Sequence, residues 1–323
     1  MPLSETQIEL LKRFERGLDP RHPERSRIPA RILGYGEIST VFEVEAEGLE
    51  GLAVKRLPLF RDWSEARRYA ATLDEYVRLL TEEIGLCLPR HRHACFERAT
   101  GSPVFFIIQD KVADGSIGHQ ALHRLAPEGV QRLVLDVLRQ LRKVWDYNRR
   151  QDQVRVAIDG QLSNWVLEGF HPVSEWLEGG SLAYLDTSTP LFRVGGVEQL
   201  DPELFLRSAP SFLAWILRIF VLKDVVDRYY DFHEVALDLV ANLYKEQRPE
   251  LIPGAVDVVN GFFQGEAAEL GIRPITEQEV AAYYREDAMI WRMYLGMRKV
   301  DRWLRASLLR REYPYILPGK IVR

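Results

Sequence analysis

The stretch Asp159-Gly160-Gln161-Leu162-Ser163-Asn164, followed by the apolar Trp165-Val166-Leu167, is the most informative part of this sequence. An aspartate and an asparagine five residues apart on a tight loop can converge on one place. There the aspartate can accept a hydroxyl proton, and the asparagine oxygen can ligate a magnesium ion. Because Asp-Gly also favours β-hairpin turns, an ordinary turn is the alternative interpretation.

A second acidic residue, Asp186, ends the apolar segment Leu182-Ala183-Tyr184-Leu185. A carboxylate at the end of an apolar strand needs a partner, and a metal ion can serve. The alternative is a helix cap or an Asx turn, because hydroxyl-bearing residues follow at 187–189. Asp186 is therefore a candidate metal ligand alongside Asn164.

Upstream, Gly34-Tyr35-Gly36-Glu37-Ile38-Ser39 lies between two predicted strands. Glycines let the backbone approach phosphates closely, because no Cβ intrudes and amide N–H groups can face the anion. The segment lacks the ending of a P-loop and does not precede a helix, which argues against P-loop and Rossmann nucleotide sites. A hairpin turn is the alternative.

Lys55 ends the apolar strand segment Ala53-Val54-Lys55, so its ammonium either reaches solvent or points inward at phosphates. Glu75 follows in a predicted helix, where its carboxylate can pair with Lys55 and orient it. The alternative for Glu75 is a solvated helix charge, and the same helix offers rival carboxylates at 65, 82 and 83.

Composition excludes several classes of protein. The chain has 323 residues and a formal charge of −4, so no overall basic field recruits nucleic acid or anionic membrane. Two cysteines without CxxC spacing indicate neither a disulfide scaffold nor a zinc site. No apolar run reaches the roughly 20 residues that a membrane span needs. The N-terminus lacks the pattern of a signal peptide, so a cytoplasmic location is expected.

The pattern of elements predicts an α+β fold with two packed lobes. Residues 1–28 indicate a capped amphipathic helix and a linker, 29–112 a small β-rich lobe with one helix at 63–84, and 113–323 a mainly helical lobe. Capping boxes at Ser4/Gln7 and Thr276/Glu279 predict helix starts, the second helix running to about residue 311. Short strands are expected around 154–158, 164–167 and 182–186.

In order and spacing, these segments resemble the protein-kinase-like superfamily over roughly residues 30 to 245. The resemblance implies a bilobal kinase-like fold with a small antiparallel sheet. It is nearer in character to the aminoglycoside, choline and homoserine kinase-like small-molecule phosphotransferases than to the eukaryotic protein kinases. It also implies ATP and Mg²⁺ as cofactors and an unidentified small-molecule acceptor.

The resemblance implies a role for each matching residue. Asp159 would be the catalytic base and Lys55 would contact the α- and β-phosphates. Asn164 and Asp186 would hold magnesium. The remaining candidates would surround the nucleotide: Gly34, Gly36 and Ser39 over the phosphates, Val41 and Ala53 above the adenine, Glu75 beside Lys55, and Gln109, Asp110 and Val112 in the hinge.

The sequence departs from the family pattern at two places. Val156-Ala157-Ile158 precedes Asp159 where the family has His-Arg-Asp or His-Gly-Asp, and Thr-Ser-Thr-Pro follows Asp186 in place of Phe-Gly. No Ala-Pro-Glu segment follows, which argues against a peptide substrate. The leading hypothesis is an ATP-dependent phosphotransferase acting on a small hydroxyl-bearing molecule. A pseudokinase-like nucleotide- or protein-binding module, and transfer of AMP, are the alternatives.

The helical half is expected to carry the acceptor site. Asp224, Asp227 and Asp231 recur at helical spacing, and an acidic face with neighbouring aromatic residues could bind a cationic small molecule. An ordinary solvated face is the alternative. His233 receives no catalytic role, and the sequence does not indicate the oligomeric state.

Overall fold

A computed structural model describes residues 2–36, 38–170, 180–201, 203–206, 226–304, 313 and 315–317. It confirms the α+β prediction of an antiparallel sheet with one helix, followed by a mainly helical region. The described part of the chain contains no helix that is both long and apolar enough to cross a bilayer.

The N-terminal region is built on a five-stranded antiparallel sheet with strand order β1-β2-β3-β5-β4. Its strands are β1 (Ala30–Tyr35), β2 (Thr40–Val44), β3 (Leu52–Leu57), β4 (His91–Glu97) and β5 (Pro103–Asp110). Helix α2 (Trp63–Arg78) connects β3 to β4 and packs against the sheet, with Tyr69 edge-to-face on Phe105 at 5.0 Å.

Helix α1 (Glu5–Gly17) covers the opposite face of this sheet. The predicted capping box of Ser4 and Gln7 starts the helix. Phe14 is fully buried and meets Phe42 of β2 at 5.5 Å. Glu15, also buried, accepts hydrogen bonds at 2.6 and 2.7 Å from the guanidinium of Arg56, whose charge the sheet would otherwise bury unpaired.

The helical region contains α3 (Gly118–Ala121), α4 (Pro127–Arg149), α5 (Glu203–Leu206), α6 (Phe232–Lys245), α7 (Ile252–Gln264) and α8 (Glu277–Trp303). Its core forms between the apolar faces of α4, α6 and α7. The ring of Phe232 stacks on Trp145 at 4.3 Å and contacts Phe263 edge-to-face. These packed faces are the apolar stripes that a hydrophobic pattern with the 3.6-residue period of an α-helix predicts.

Five short strands accompany the helices. They are β6 (Val154–Val156), β7 (Trp165–Leu167), β8 (Leu182–Tyr184), β9 (Phe192–Val194) and β10 (Val197–Glu198). β7 pairs with β8 as a hairpin, while β6 joins β9 and β10 in a separate sheet. The strands predicted at 154–158 and 164–167 are therefore present, with partners further along the chain.

Helix α8 bridges the two regions. It begins with the predicted capping box of Thr276 and Glu279, and its 27 residues correspond to about 40 Å. Near its start, Tyr284 stacks on Tyr244 of α6 at 4.9 Å. Near its end, Arg298 is 2% exposed and lines a small cavity with Ser39 and Thr40. The predicted continuation beyond residue 304 lies outside the described residues.

Candidate functional site

The candidate site forms where β3 faces the loop that follows β8. Lys55 alternates with the fully buried Val54, so its side chain leaves the face of the sheet opposite to α1. Its Nζ donates a hydrogen bond of 2.7 Å to Oδ1 of Asp186 and one of 3.1 Å to Oγ of Ser188. The Lys55 side chain is 15% exposed, so the ammonium is largely shielded from solvent.

The carboxylate of Asp186 is held in its ionised form. Its Oδ1 also accepts hydrogen bonds from the backbone N–H of Ser188 at 3.0 Å and from the Ser188 hydroxyl at 2.7 Å. Burial raises the pKa of Asp186, but the charge and hydrogen bond of Lys55 and the two Ser188 donors together hold it below its ordinary value. An ionised oxygen ligand is what a magnesium ion requires.

Asp159 and Asn164 lie beside this pair. The Asp159 carboxylate accepts the Gln161 N–H at 3.0 Å, and the Asn164 amide contacts the Asp159 carbonyl at 3.4 Å. The carbonyl of Asn164 accepts the Leu185 N–H at 2.8 Å, which ties the loop to the residue before Asp186. The Asp159 side chain thus forms an Asx-type contact, but β6 and β7 do not form a hairpin around it. The three predicted residues lie on two neighbouring loops.

Asp159 differs electrostatically from Asp186. Burial and the nearby carboxylate of Asp238, opposed by the Gln161 N–H bond, raise the pKa of Asp159 to about 8. Asp238 is 5% exposed on α6, and its carboxylate lies 3.6 Å from Lys245 Nζ. Two carboxyl groups whose environments push their pKa values apart can serve as a proton acceptor and a cation ligand.

The pairing of Glu75 with Lys55 is wrong. Glu75 instead forms two hydrogen bonds with Arg78, one turn along, and its side chain is 44% exposed. The buried face of α2 carries Tyr69, Leu73 and Tyr76, which turns Glu75 toward the flank of the helix. Lys55 takes Asp186 and Ser188 as its partners.

The glycine segment forms the β1–β2 hairpin. The Gly36 N–H donates to the Ser39 carbonyl at 3.0 Å, and a Cβ at Gly36 would lie 2.6 Å from Ser39 Oγ. A Cβ at Gly34 would meet nothing within 4 Å, so a side chain at this position would not clash with its surroundings. Residue 37 lies outside the described residues.

Three nucleotide-site candidates share the face of the sheet that carries Lys55. Val41 pairs with Lys55 across β2 and β3, and Ala53 pairs with Gln109 across β3 and β5. Gln109 donates to the Leu185 carbonyl at 3.0 Å and so reaches the site. In the candidate hinge, Asp110 is instead held by Arg92 at 2.6 Å, and Val112 follows the end of β5.

Sequence patterns did not single out Ser188 or Tyr69. The Tyr69 hydroxyl donates to the Ser188 carbonyl at 2.8 Å, and Ser188 is 3% exposed. A serine two residues after an aspartate is typical of an Asx turn, which is the alternative interpretation that the sequence offers for this segment. Only the approach of Lys55, 133 residues away in sequence, distinguishes it.

Of the acidic face expected in the helical region, the described members Asp227 and Asp231 do not share one helix face, because Asp231 precedes the first turn of α6 as its cap. Asp227 is hydrogen-bonded to Arg193, and Asp231 caps α6 by accepting the His233 N–H at 2.9 Å. Asp224 lies outside the described residues. The two described carboxylates therefore have separate structural partners.

Helix α3 packs against the loop that carries Asp159, and Gly118 in this helix leaves no space for a side chain. A Cβ on Gly118 would lie 2.4 Å from the carbonyl oxygen of Leu162. We expect Gly118→Ala to lower the free energy of unfolding by about 1–3 kcal/mol, because overpacking forces backbone shifts. Urea unfolding measures this, and Gly261→Ala on α7 is the control because its Cβ would meet nothing within 4 Å. Equal stability of the two variants would contradict the prediction.

The donor set fits magnesium that is shared with phosphates. Among the described residues, no group of three or more His, Cys, Asp or Glu side chains could hold a metal ion by itself. Magnesium is commonly bound through one or two protein oxygens plus substrate phosphates. Asn164 and Asp186 offer an amide and an ionised carboxylate for that arrangement.

The sheet with its inserted helix is followed by the helical region, and the contact of Lys55 with Asp186 joins the two. Among solved structures, "WaaP in complex with acyl carrier protein" is 18% identical with a TM-score of 0.34, over 85% of this chain and 97% of its own. A Stt7 homolog from Micromonas algae soaked with ATP is 16% identical with a TM-score of 0.38, over 79% of this chain and 82% of its own.

No curated protein matches the chain. A family model does match, over residues 23–303, which is most of the sequence. The chain therefore belongs to the family described as a family of unknown function (DUF6206).

Proposed function

We propose that this protein is an ATP- and magnesium-dependent phosphotransferase that acts on a small hydroxyl-bearing molecule. The observation that carries the proposal is the 2.7 Å contact of Lys55 with Asp186, next to Asp159 and Asn164. A fixed cation, two side chains with oxygen atoms suited to a metal ion and a carboxyl group of raised pKa, all close together, support the proposal. Phosphoryl transfer needs positioned groups of these kinds and little covalent chemistry from the protein.

Each side chain has a distinct part in the proposed reaction. Lys55 neutralises charge on the phosphates, and Asn164 and Asp186 would hold a magnesium ion, which would supply further positive charge. In its ionised form, Asp159 orients the acceptor hydroxyl and takes its proton as the oxygen bonds to the γ-phosphorus. The bond from that phosphorus to the β–γ bridging oxygen breaks, and ADP leaves.

A small acceptor is preferred to a peptide because the sequence lacks an Ala-Pro-Glu segment after Asp186. A non-catalytic nucleotide-binding module is the second candidate. It is favoured by Val156, Ala157 and Ile158, which are apolar and fully buried. The protein-kinase-like superfamily has polar residues of the catalytic loop at this place. The second candidate binds nucleotide without consuming ATP.

Thermal unfolding with ATP, with magnesium and with both tests the proposed site. A ligand that binds only the native state stabilises it by about 2.7 kcal/mol at a hundredfold excess over Kd. We expect ATP with magnesium to raise Tm for the wild type and for the control variant Lys143→Ala. Lys143 lies on α4, and its ammonium contacts the Gly85 carbonyl. We expect Lys55→Ala to lose the shift. An equal shift in Lys55→Ala would contradict the assignment.

Product mass separates the remaining reactions. Incubation with ATP and a panel of alcohols is expected to add a phosphate to one of them. A gain of AMP would instead indicate nucleotidyl transfer. Intact ATP across the panel, with a retained thermal shift, would favour the binding module.

A further inference from the structure

A lysine that must meet phosphates in a cleft needs a partner to orient it. Helix α2 carries three acidic residues, and each has a partner elsewhere. Glu65 accepts the Arg61 N–H at 2.8 Å, Asp74 meets His93 at 3.0 Å, and Glu75 pairs with Arg78. The carboxylate that the resemblance expects from this helix is therefore not supplied to Lys55.

Ser188 occupies the place where such a partner would act. Its Oγ accepts a hydrogen bond from Lys55 Nζ at 3.1 Å and donates one to Asp186 Oδ1 at 2.7 Å. A hydroxyl has one donor and two acceptor positions, so it can make both contacts at once. With the direct contact between Lys55 and Asp186, the three groups form a closed triangle.

The triangle is attached to α2 through Tyr69. The Tyr69 hydroxyl donates to the Ser188 carbonyl at 2.8 Å. The Tyr69 ring is 3% exposed and is fixed between Phe60 at 5.1 Å and Phe105 at 5.0 Å. Because a ring packed in this way has few alternative rotamers, the position of α2 sets the position of Ser188.

We propose that Ser188 is a positioning residue that orients Lys55 in place of a helix carboxylate, and that Tyr69 couples α2 to it. The inference rests on the proposed nucleotide site. When phosphates and magnesium draw Lys55 and Asp186 apart, the Ser188 hydroxyl keeps a contact with each. Helix α2 thus contributes to nucleotide binding through a hydroxyl and a backbone carbonyl, without a charge of its own.

Nucleotide titration of full-length variants tests this role, with Kd for ATP and magnesium measured by calorimetry. We expect Ser188→Ala to raise Kd about tenfold, since a hydrogen bond to a charged group is lost. Ser188→Thr keeps the hydroxyl and is expected to stay within about threefold of the wild type, as conservation of the bond requires. Ser116→Ala is the matched control, a buried serine whose hydroxyl donates to the Ala113 carbonyl at 2.7 Å.

Tyr69→Phe tests the coupling to α2. We expect it to raise Kd about threefold, because one neutral hydrogen bond is lost. Tyr76→Phe is its control, since that hydroxyl donates to the Ala157 carbonyl at 2.9 Å and not to Ser188. Urea unfolding of every variant reports folding separately, so a change in Kd at unchanged stability identifies a positioning effect.

The outcomes separate this inference from the proposed function. If Lys55→Ala abolishes binding while Ser188→Ala matches Ser116→Ala, the site stands and the role of Ser188 is wrong. If Lys55→Ala binds as the wild type does, the nucleotide site itself is wrong. If Ser188→Thr binds as weakly as Ser188→Ala, the hydroxyl is not the orienting group and the inference is overturned.

Discussion

Asp186→Asn should abolish magnesium-dependent binding of ATP, raising Kd at least about a hundredfold, which corresponds to about 2.7 kcal/mol. The substitution keeps the shape of the side chain but removes the charge that Lys55 and Ser188 hold in place. Without the charge of a carboxylate, an amide at this position binds both a magnesium ion and an ammonium group more weakly. Calorimetric titration with ATP, in magnesium and in EDTA, measures the loss.

Asp74→Asn is the matched control for this prediction. Asp74 also pairs with a basic side chain, His93, but it does so at the surface of α2. We expect Asp74→Asn to bind nucleotide as the wild type does. If Asp186→Asn retained full affinity in magnesium, Asp186 would not be a metal ligand, and the pairing with Lys55 would be purely structural.

The parts of the fold that depend on local patterns were predicted well. The capping boxes at Ser4 and Thr276 start helices where expected, because each box is a contact between residues three apart. The sequence predicts strands near 91–98 and 104–110 on either side of a turn at 100–103, and β4 and β5 end within a residue of these positions. Local hydrogen bonds and periodicity are sufficient for such elements.

Short strands in the helical region were less predictable. β9 and β10 have three and two residues, too few to show an alternating pattern. The pairing of β9 with β6 joins Val154 to Val194 across forty residues of sequence. Such contacts depend on how α4 and the following loops pack, and no local sequence signal specifies that packing.

The candidate site likewise combines features that the local sequence predicts with contacts that depend on packing. Asp159 and Asn164 lie on the loop between β6 and β7, and the Leu185 N–H bond to the Asn164 carbonyl brings the loop after β8, with Asp186, next to it. The order of these residues along the chain predicted that they would converge. The partner of Lys55 was mispredicted because it depends on the rotation of α2 about its axis. Tyr69 and Tyr76 fill the inner face of that helix, so Glu75 turns outward. Ser188 replaces it through a contact that spacing alone does not predict.

The rotation of α2 also changes what kind of coupling this site can have. A carboxylate on the helix would make its position depend on an ion pair, which weakens with salt. The hydroxyl of Tyr69 instead donates to a backbone carbonyl in a buried setting. The link between helix and site is therefore neutral and buried, and its strength should depend little on ionic strength.

Asp159→Asn should lower turnover by about 10²–10⁴-fold, the contribution of a positioned general base, while making the folded protein more stable at alkaline pH. The folded-state pKa of Asp159 is raised to about 8 by burial and by Asp238. An unfolded aspartate loses its proton near pH 4. Between these values the unfolded state binds fewer protons than the folded state, so the free energy of unfolding falls as pH rises.

Asparagine at this position removes that penalty, because it carries no charge to bury beside Asp238. We expect the free energy of unfolding of Asp159→Asn to exceed that of the wild type by at least about 1 kcal/mol at pH 8, roughly the value of one pKa unit. The difference should shrink toward pH 5. Urea unfolding in EDTA without nucleotide measures this difference.

Asp257→Asn is the control, at an exposed position of α7. Its difference in free energy of unfolding from the wild type should not widen as pH rises. If the difference between Asp159→Asn and the wild type instead narrowed from pH 5 to pH 8, the pKa of Asp159 in the folded protein would not be raised, and the electrostatic contrast between Asp159 and Asp186 would be wrong.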